Sequence, residues 1–149
     1  MKYVYASRSG NVEELVHVLG LEAMKIKDGT ETMDQDFILF TYTDGRGVVP
    51  PVVTAFLKEN HSYLKGVIVS GNMQRHGDTF CGAGRIISEM YGVPVIAQVD
   101  GVGDSYDHRA IRGEAFPVIN KISPCISHSA CTGGYFYIVL KDCSFLSGF

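Results

Sequence analysis

Ser7, Ser9, Gly10 and Asn11 stand between an apolar run, Tyr3 to Ala6, and a segment that turns helical at Val12. Hydroxyls, a glycine and a loop that opens a helix are the parts of an anion site. The first helical turn leaves its amide N–H groups unpaired, and the helix dipole favours negative charge above them. Ser7 and Ser9 add hydroxyl donors, and Gly10 lets the backbone approach a ligand where a Cβ would collide. Asn11 is expected to cap the helix, whose buried face reads Val12, Leu15, Val16 and Leu19 at helical spacing. A βα unit that needs only a good cap would have the same composition, so this stretch alone leaves both readings open. G-x-G-x-x-G is absent, there is no Gly-Lys-Ser/Thr, and no cysteine has an arginine at cysteine-phosphatase spacing. Phosphate binding without phosphoryl transfer remains.

The elements that would position this loop follow in order. Gly20 stops the first helix, Ala23 to Ile26 is a short strand, and Lys27 to Thr30 is a turn. Phe37 to Tyr42 is a nearly continuous apolar run, as expected of a strand buried on both faces of a parallel sheet. It ends in Thr43-Asp44-Gly45-Arg46-Gly47, and Pro50-Pro51 opens a helix to about Asn60. Lys65 to Ser70 is the next strand, followed by a long polar loop, Gly71 to Asp78. The helix after it is expected to bury Ala83, Ile86, Ile87 and Met90. Pro94 to Val99 is a fifth strand; Asp104 or Ser105 caps a last helix that Pro117 should end or kink. This alternation implies a parallel sheet with helices on both faces, in which ligands bind beyond the carboxyl ends of the strands. Three loops meet there, Ser7 to Val12, Thr43 to Val48 and Gly71 to Phe80, while the other connections read as short or featureless.

With 149 residues the chain fits one domain with a core of its own. A net charge of −3, with 13 Lys and Arg scattered along the chain, argues against a nucleic-acid partner. No apolar run reaches the ~20 residues of a membrane span, and a strand in place of a basic-then-apolar leader points to the cytoplasm.

With the three loops in place, the chain resembles the flavodoxin-like proteins and, among them, the NrdI family, flavoprotein activators of class Ib ribonucleotide reductase. The resemblance spans about residues 1–118. It rests on Ser9-Gly10-Asn11, on Tyr42-Thr43 with Gly47 and Val49-Pro50, and on Ser70-Gly71-Asn72 with Gly77-Asp78 and Phe80. Ile87-Ser88 and Gly92-Val93-Pro94 complete it. It implies an α/β, doubly wound five-stranded parallel sheet of order 2-1-3-4-5, with residues 1–119 as the FMN-binding domain and 120–149 as a C-terminal extension. It also implies non-covalent FMN. Ser7, Arg8, Ser9, Gly10, Asn11 and Val12 would hold the phosphate. Tyr42, Thr43, Asp44, Gly45, Arg46 and Gly47 would frame the isoalloxazine ring from one side, and Ser70, Gly71, Asn72, His76, Gly77, Asp78 and Phe80 from the other. Backbone amides of the third loop would tune the ring's redox states. In that family the reduced flavin acts at the dimetal subunit of the reductase, supplying reduced oxygen species that oxidise a dimanganese centre and generate the tyrosyl radical. The implied partners are that subunit and an electron-donating reductase.

The chain departs from the family pattern at Arg46 and His76, which stand where members commonly carry an aromatic residue, and at Val12, usually threonine. Guanidinium and imidazole planes can stack on a flavin, and Arg46 there would favour its anionic reduced form; the alternative is that both point to solvent. Two other functions stay open: a free-standing FMN reductase of quinone type, for which no segment offers a nicotinamide site, and a flavodoxin-shaped protein-binding module that has lost FMN. No side-chain catalytic centre is apparent. Cys125, His128, Cys131 and Cys143 lack the paired C-x₂-C spacing of a zinc site, so free thiols are expected there and no metal is assigned. Tyr135 to Leu140 is an apolar run suited to an edge hairpin, with disorder of the extension as the other possibility. Cys81 reads as a small buried cysteine instead of a redox one, and His17, His61 and His108 as surface or cap residues.

Overall fold

The computed structural model describes residues 1–118, with side chains as far as residue 113. Five parallel strands lie in the order β2-β1-β3-β4-β5. They are β1 (Lys2–Tyr5), β2 (Ala23–Lys25), β3 (Phe37–Tyr42), β4 (Leu64–Gly71) and β5 (Val95–Asp100). The helices are α1 (Asn11–Val18), α2 (Pro51–Asn60), α3 (Met73–His76), α4 (Gly82–Tyr91) and α5 (Ser105–Val118). The expected strand order is therefore the observed one. The expectations for residues 120–149, including the edge hairpin and the free thiols, lie outside the described residues.

Strand periodicity divides β3 between two cores. Phe37 and Leu39 join Val53, Phe56 and Leu57 of α2 and Ala83 and Ile87 of α4 on one face. Ile38 and Phe40 join Val12, Leu15 and Val16 of α1 and Ile111 of α5 on the other. Successive side chains of a strand point to opposite faces, so an unbroken apolar run is what a centrally placed parallel strand requires. Phe37 to Phe40 are all fully buried, each stabilising the fold by roughly 1.5–3 kcal/mol. Phe37 and Phe56 meet edge to face with centroids 5.6 Å apart. Register carries the pattern across the sheet, with Val4 beside Leu39 and Leu39 beside Val67.

Gly20, Pro50-Pro51 and Asp104 end or open their helices as expected, and two expectations for the chain between residues 71 and 93 are corrected. The Gly20 amide donates to His17 O and the Leu21 amide to Val16 O, a left-handed glycine turn that closes α1. Asn60, buried at the end of α2, accepts from the Met33 amide at 2.6 Å and donates to Glu31 O at 2.8 Å and Phe56 O at 2.9 Å. It thereby pins the long β2–β3 connection to the core. In α4 the buried face is Ala83, Gly84 and Ile87, whereas Met90 is 64 % exposed. Gly92 turns the chain back there and Val93 fills the core in its place. The second correction concerns Gly71 to Asp78, which is not an open loop. Asn72 Oδ1 accepts from the Arg75 amide at 2.9 Å and starts the single turn of α3, and a 3-10 turn, Gly77–Thr79, follows.

Candidate functional site

The first loop leaves β1 and enters α1 through Gly10, whose φ of +93° only glycine adopts without strain. Gly10 is the cap residue. Its carbonyl accepts from the Glu14 amide, so Asn11 is already helical and its side chain makes no capping bond, contrary to the expectation. The amides of Asn11, Val12 and Glu13 precede the first helical carbonyl and have no partner within the helix. The Val12 side chain is buried among core residues, which leaves only its backbone to face a ligand. Ser7 Oγ and Thr43 Oγ1 are buried, and neither has a hydrogen-bond partner among the described residues. These residues follow β1 and β3, which are neighbours in the sheet. Two buried hydroxyls without partners and the unpaired first-turn amides are all neutral donors, the kind of group that satisfies an anion. Glu13 in the first turn does not oppose an anion there. Lys25 Nζ lies within 3.2 Å of both its oxygens, and Tyr5 Oη donates to Oε1 at 2.9 Å. The hydrogen bond from Lys25, with that from Tyr5, holds the Glu13 carboxyl below the usual carboxylate range.

The second loop is a tight reversal. Asp44 and Val48 exchange backbone hydrogen bonds, with Gly45 and Gly47 in left-handed conformations between them. It lies backbone-to-backbone on the start of α4. A Cβ on Gly82 would stand 2.7 Å from Gly47 O, and one on Gly47 2.9 Å from Thr79 Cβ. Arg8 reaches across from the first loop. Its Nη1 donates to Asp44 Oδ1 at 2.6 Å, and its guanidinium lies 5.3 Å from the centre of the half-buried Tyr42 ring. Burial first, and the Asp44 charge second, push the Tyr42 phenol up, partly offset by Arg8. Arg46 is exposed and makes no side-chain hydrogen bond or ion pair among the described residues.

The third loop is held by a fourth. Ser70 Oγ donates to Gly101 O at 2.6 Å, the Gly101 amide donates to Gly71 O, and the Met73 amide donates to Asp100 Oδ1. The β5–α5 connection, read from sequence as featureless, therefore braces the site. Its signal was the Asp100-Gly101-Val102-Gly103-Asp104 run at a strand's carboxyl end. A Cβ on Gly71 would meet the Phe80 ring at 2.8 Å, so glycine there lets Phe80 fold against the strand end. Asn72, His76, Gly77 and Asp78 are exposed along the rim, with the apolar Val48, Met73 and Tyr106 also open to solvent. The hydroxyl of Ser70, bonded to Gly101 O, and the buried side chain of Val12 are thus structural, whereas the buried hydroxyls of Ser7 and Thr43 have no hydrogen-bond partner among the described residues.

Cys81 lies behind this loop, fully buried, in a left-handed conformation at φ +53°. Burial pushes its thiol far above the ordinary range, which suits an inert core cysteine. His61 caps α2 and stacks on Tyr91, and the His108 ring bonds Val102 O. No group of three His, Cys, Asp or Glu among the described residues is placed to hold a metal ion.

Comparison with known proteins gives the same architecture. Residues 3–113 match the family model described as NrdI flavodoxin-like. A short-chain flavodoxin associated with a bacterial microcompartment aligns at TM-score 0.62 and 17% identity, covering 82% of this chain and 97% of that one. The flavodoxin of Streptococcus pneumonia TIGR4 aligns at 0.58 and 23%, covering 81% and 98%. That of Fusobacterium nucleatum, solved bound to flavin mononucleotide, aligns at 0.52 and 19%, covering 83% and 100%. These structures share the fold. With most of its length matched by the family model, and with the strand order and loop edge that fold requires, the chain belongs to the NrdI flavodoxin-like family.

Proposed function

We propose that this chain is an FMN-dependent redox protein that activates a class Ib ribonucleotide reductase. The carrying observation is the pair of buried, partnerless hydroxyls, Ser7 Oγ and Thr43 Oγ1, beside the open amides of α1. Ser7 and the amides fit a phosphate, which accepts several hydrogen bonds and gains from the helix dipole, and Thr43, after β3, fits the polar edge of the ring. The Fusobacterium nucleatum relative carries FMN on the same fold. In this reading residues 1–119 are the FMN-binding domain. Ser7 and the backbone of residues 8–12 hold the phosphate, while residues 42–47, with residues 70–72, 76–78 and Phe80, frame the ring. When bound, FMN supplies one- and two-electron transfer and reaction with oxygen. The protein's part is to bind and orient it. The left-handed glycines of the second loop and the three hydrogen bonds that brace the third fix two walls, and the exposed Val48, Met73 and Tyr106 form a rim for a protein partner. That partner is the dimetal, radical-bearing subunit of the reductase, with an electron-donating reductase upstream and the cytoplasm as the location. No helix among the described residues is long and apolar enough to cross a membrane.

The test is reconstitution of a manganese-loaded class Ib subunit with this protein, reduced, in the presence of oxygen. Tyrosyl radical, read by its electron paramagnetic resonance signal, is expected only when the protein carries FMN. A radical yield that ignores its presence would overturn the activation role. Reduction of quinones with a nicotinamide cofactor by the protein alone would favour the free-standing reductase.

A further inference from the structure

We propose that Arg8 is a positioning residue: its pairing with Asp44 clasps the first loop to the second and cancels the Asp44 charge where the second loop meets the ligand. The clasp stands on the geometry alone, and its redox consequence rests on the FMN reading above. An arginine in a loop suited to phosphate is ordinarily a phosphate ligand. Here the guanidinium is committed elsewhere. Nη1 donates to Asp44 Oδ1 at 2.6 Å, and the guanidinium carbon lies 5.3 Å from the Tyr42 ring centre, so one side chain contacts both the end of β3 and the loop after it. The carboxylate is itself fixed, since Oδ1 also accepts from the Gly45 amide at 2.9 Å. Asp44 is 24% exposed against 65% for Arg8, so the carboxylate is the more desolvated partner and gains more from a cation beside it. The donors left open toward an anion are neutral ones, the Ser7 and Thr43 hydroxyls and the α1 amides.

Two consequences follow. Without Arg8 the loop residues 44–48 lose their only tie to the first loop that runs through side-chain charge among the described residues. An unpaired Asp44 would also oppose the negative charge that reduction places on the ring, so Arg8→Gln lowers the midpoint potential of bound FMN, Asp44→Asn raises it, and the double variant returns it close to the wild-type value. A purely structural tie would move both single variants in the same direction.

The experiment uses the full chain with Arg8→Gln, Asp44→Asn and both. In ligand-free protein, amide exchange of residues 44–48 is expected to quicken about threefold to tenfold in either single variant, and no further in the double. Exchange that does not change would overturn the clasp whatever FMN does. With ligand, Arg8→Gln is expected to weaken FMN and riboflavin by the same factor. Loss confined to FMN would make Arg8 a phosphate ligand and overturn the assignment. Potentials that shift in opposite directions support the charge cancellation, and shifts of one sign overturn it. A wild-type protein that binds no flavin would remove the FMN reading, and the exchange result would still decide the clasp.

Discussion

Replacing Ser7 by alanine should make the ligand-free protein more stable and the FMN complex weaker. The hydroxyl is buried without a partner, and leaving a donor so placed costs about 1–3 kcal/mol. Alanine keeps the Cβ and removes the unsatisfied oxygen. Because Ser7 as a residue is only half-buried, the lower end applies, a gain of about 1 kcal/mol, or about 3 °C in melting temperature for a chain of this size. The same oxygen is expected to donate to a phosphate, and a hydrogen bond to a charged acceptor contributes about 1.5–3 kcal/mol. FMN affinity should therefore fall about tenfold to a hundredfold, while riboflavin, which has no phosphate, binds as before. Urea unfolding of the ligand-free protein and fluorescence titration with both flavins read the two effects separately. A Ser7→Ala protein that is less stable without ligand and binds FMN unchanged would make the hydroxyl an ordinary structural donor and remove it from the phosphate site.

Other outcomes follow from the packing. Gly82→Ala puts a methyl 2.7 Å from Gly47 O, where backbone must move, and is expected to cost about 1–2 kcal/mol in urea unfolding and to weaken FMN binding through the displaced second loop. Gly113→Ala, exposed on α5 with nothing within 4 Å of the added methyl among the described residues, should instead stabilise by about 0.5–1 kcal/mol in the same assay. Asn60→Ala strands the Met33 amide and Glu31 carbonyl and should cost about 2–4 kcal/mol, with flavin affinity per folded molecule unchanged. Burial raises the Cys81 thiol above its unfolded value, so its contribution to stability is complete below about pH 8.5 and is lost as pH climbs toward the folded value. In a background with Cys125, Cys131 and Cys143 replaced by serine, stability should fall from pH 8.5 to 9.5, and Cys81→Ser should flatten that slope. An unchanged slope would place the titration elsewhere.

What could be read from sequence was what depends on neighbours in the chain. Phe37 to Tyr42 announced a central strand because a parallel sheet covered on both faces has no polar side, and Gly20 announced a helix end because its left-handed turn is local. The three polar loops at one sheet edge were legible because glycine and hydroxyl residues gathered after β1, β3 and β4, which are neighbours in the sheet. What escaped depends on distant partners. Gly82 is glycine because Gly47 lies against it, and nothing near either residue says so. Asp100 and Gly101 looked like a plain connection because their bonds run to Met73, Ser70 and Gly71. Met90 has core spacing, yet the chain reverses at Gly92 and Val93 takes the buried place. Asn11 lost the cap position because Gly10, one residue earlier, could adopt the conformation that begins the helix.

FMN binding is decided by adding FMN to the flavin-free protein, removing the excess, and recording the visible spectrum before and after anaerobic reduction. About one equivalent of retained flavin, with bands shifted from those of free FMN and reducible without release, is the predicted result. Protein that retains no FMN in either redox state would contradict it, and the open hydroxyls of Ser7 and Thr43 would then belong to a different anion.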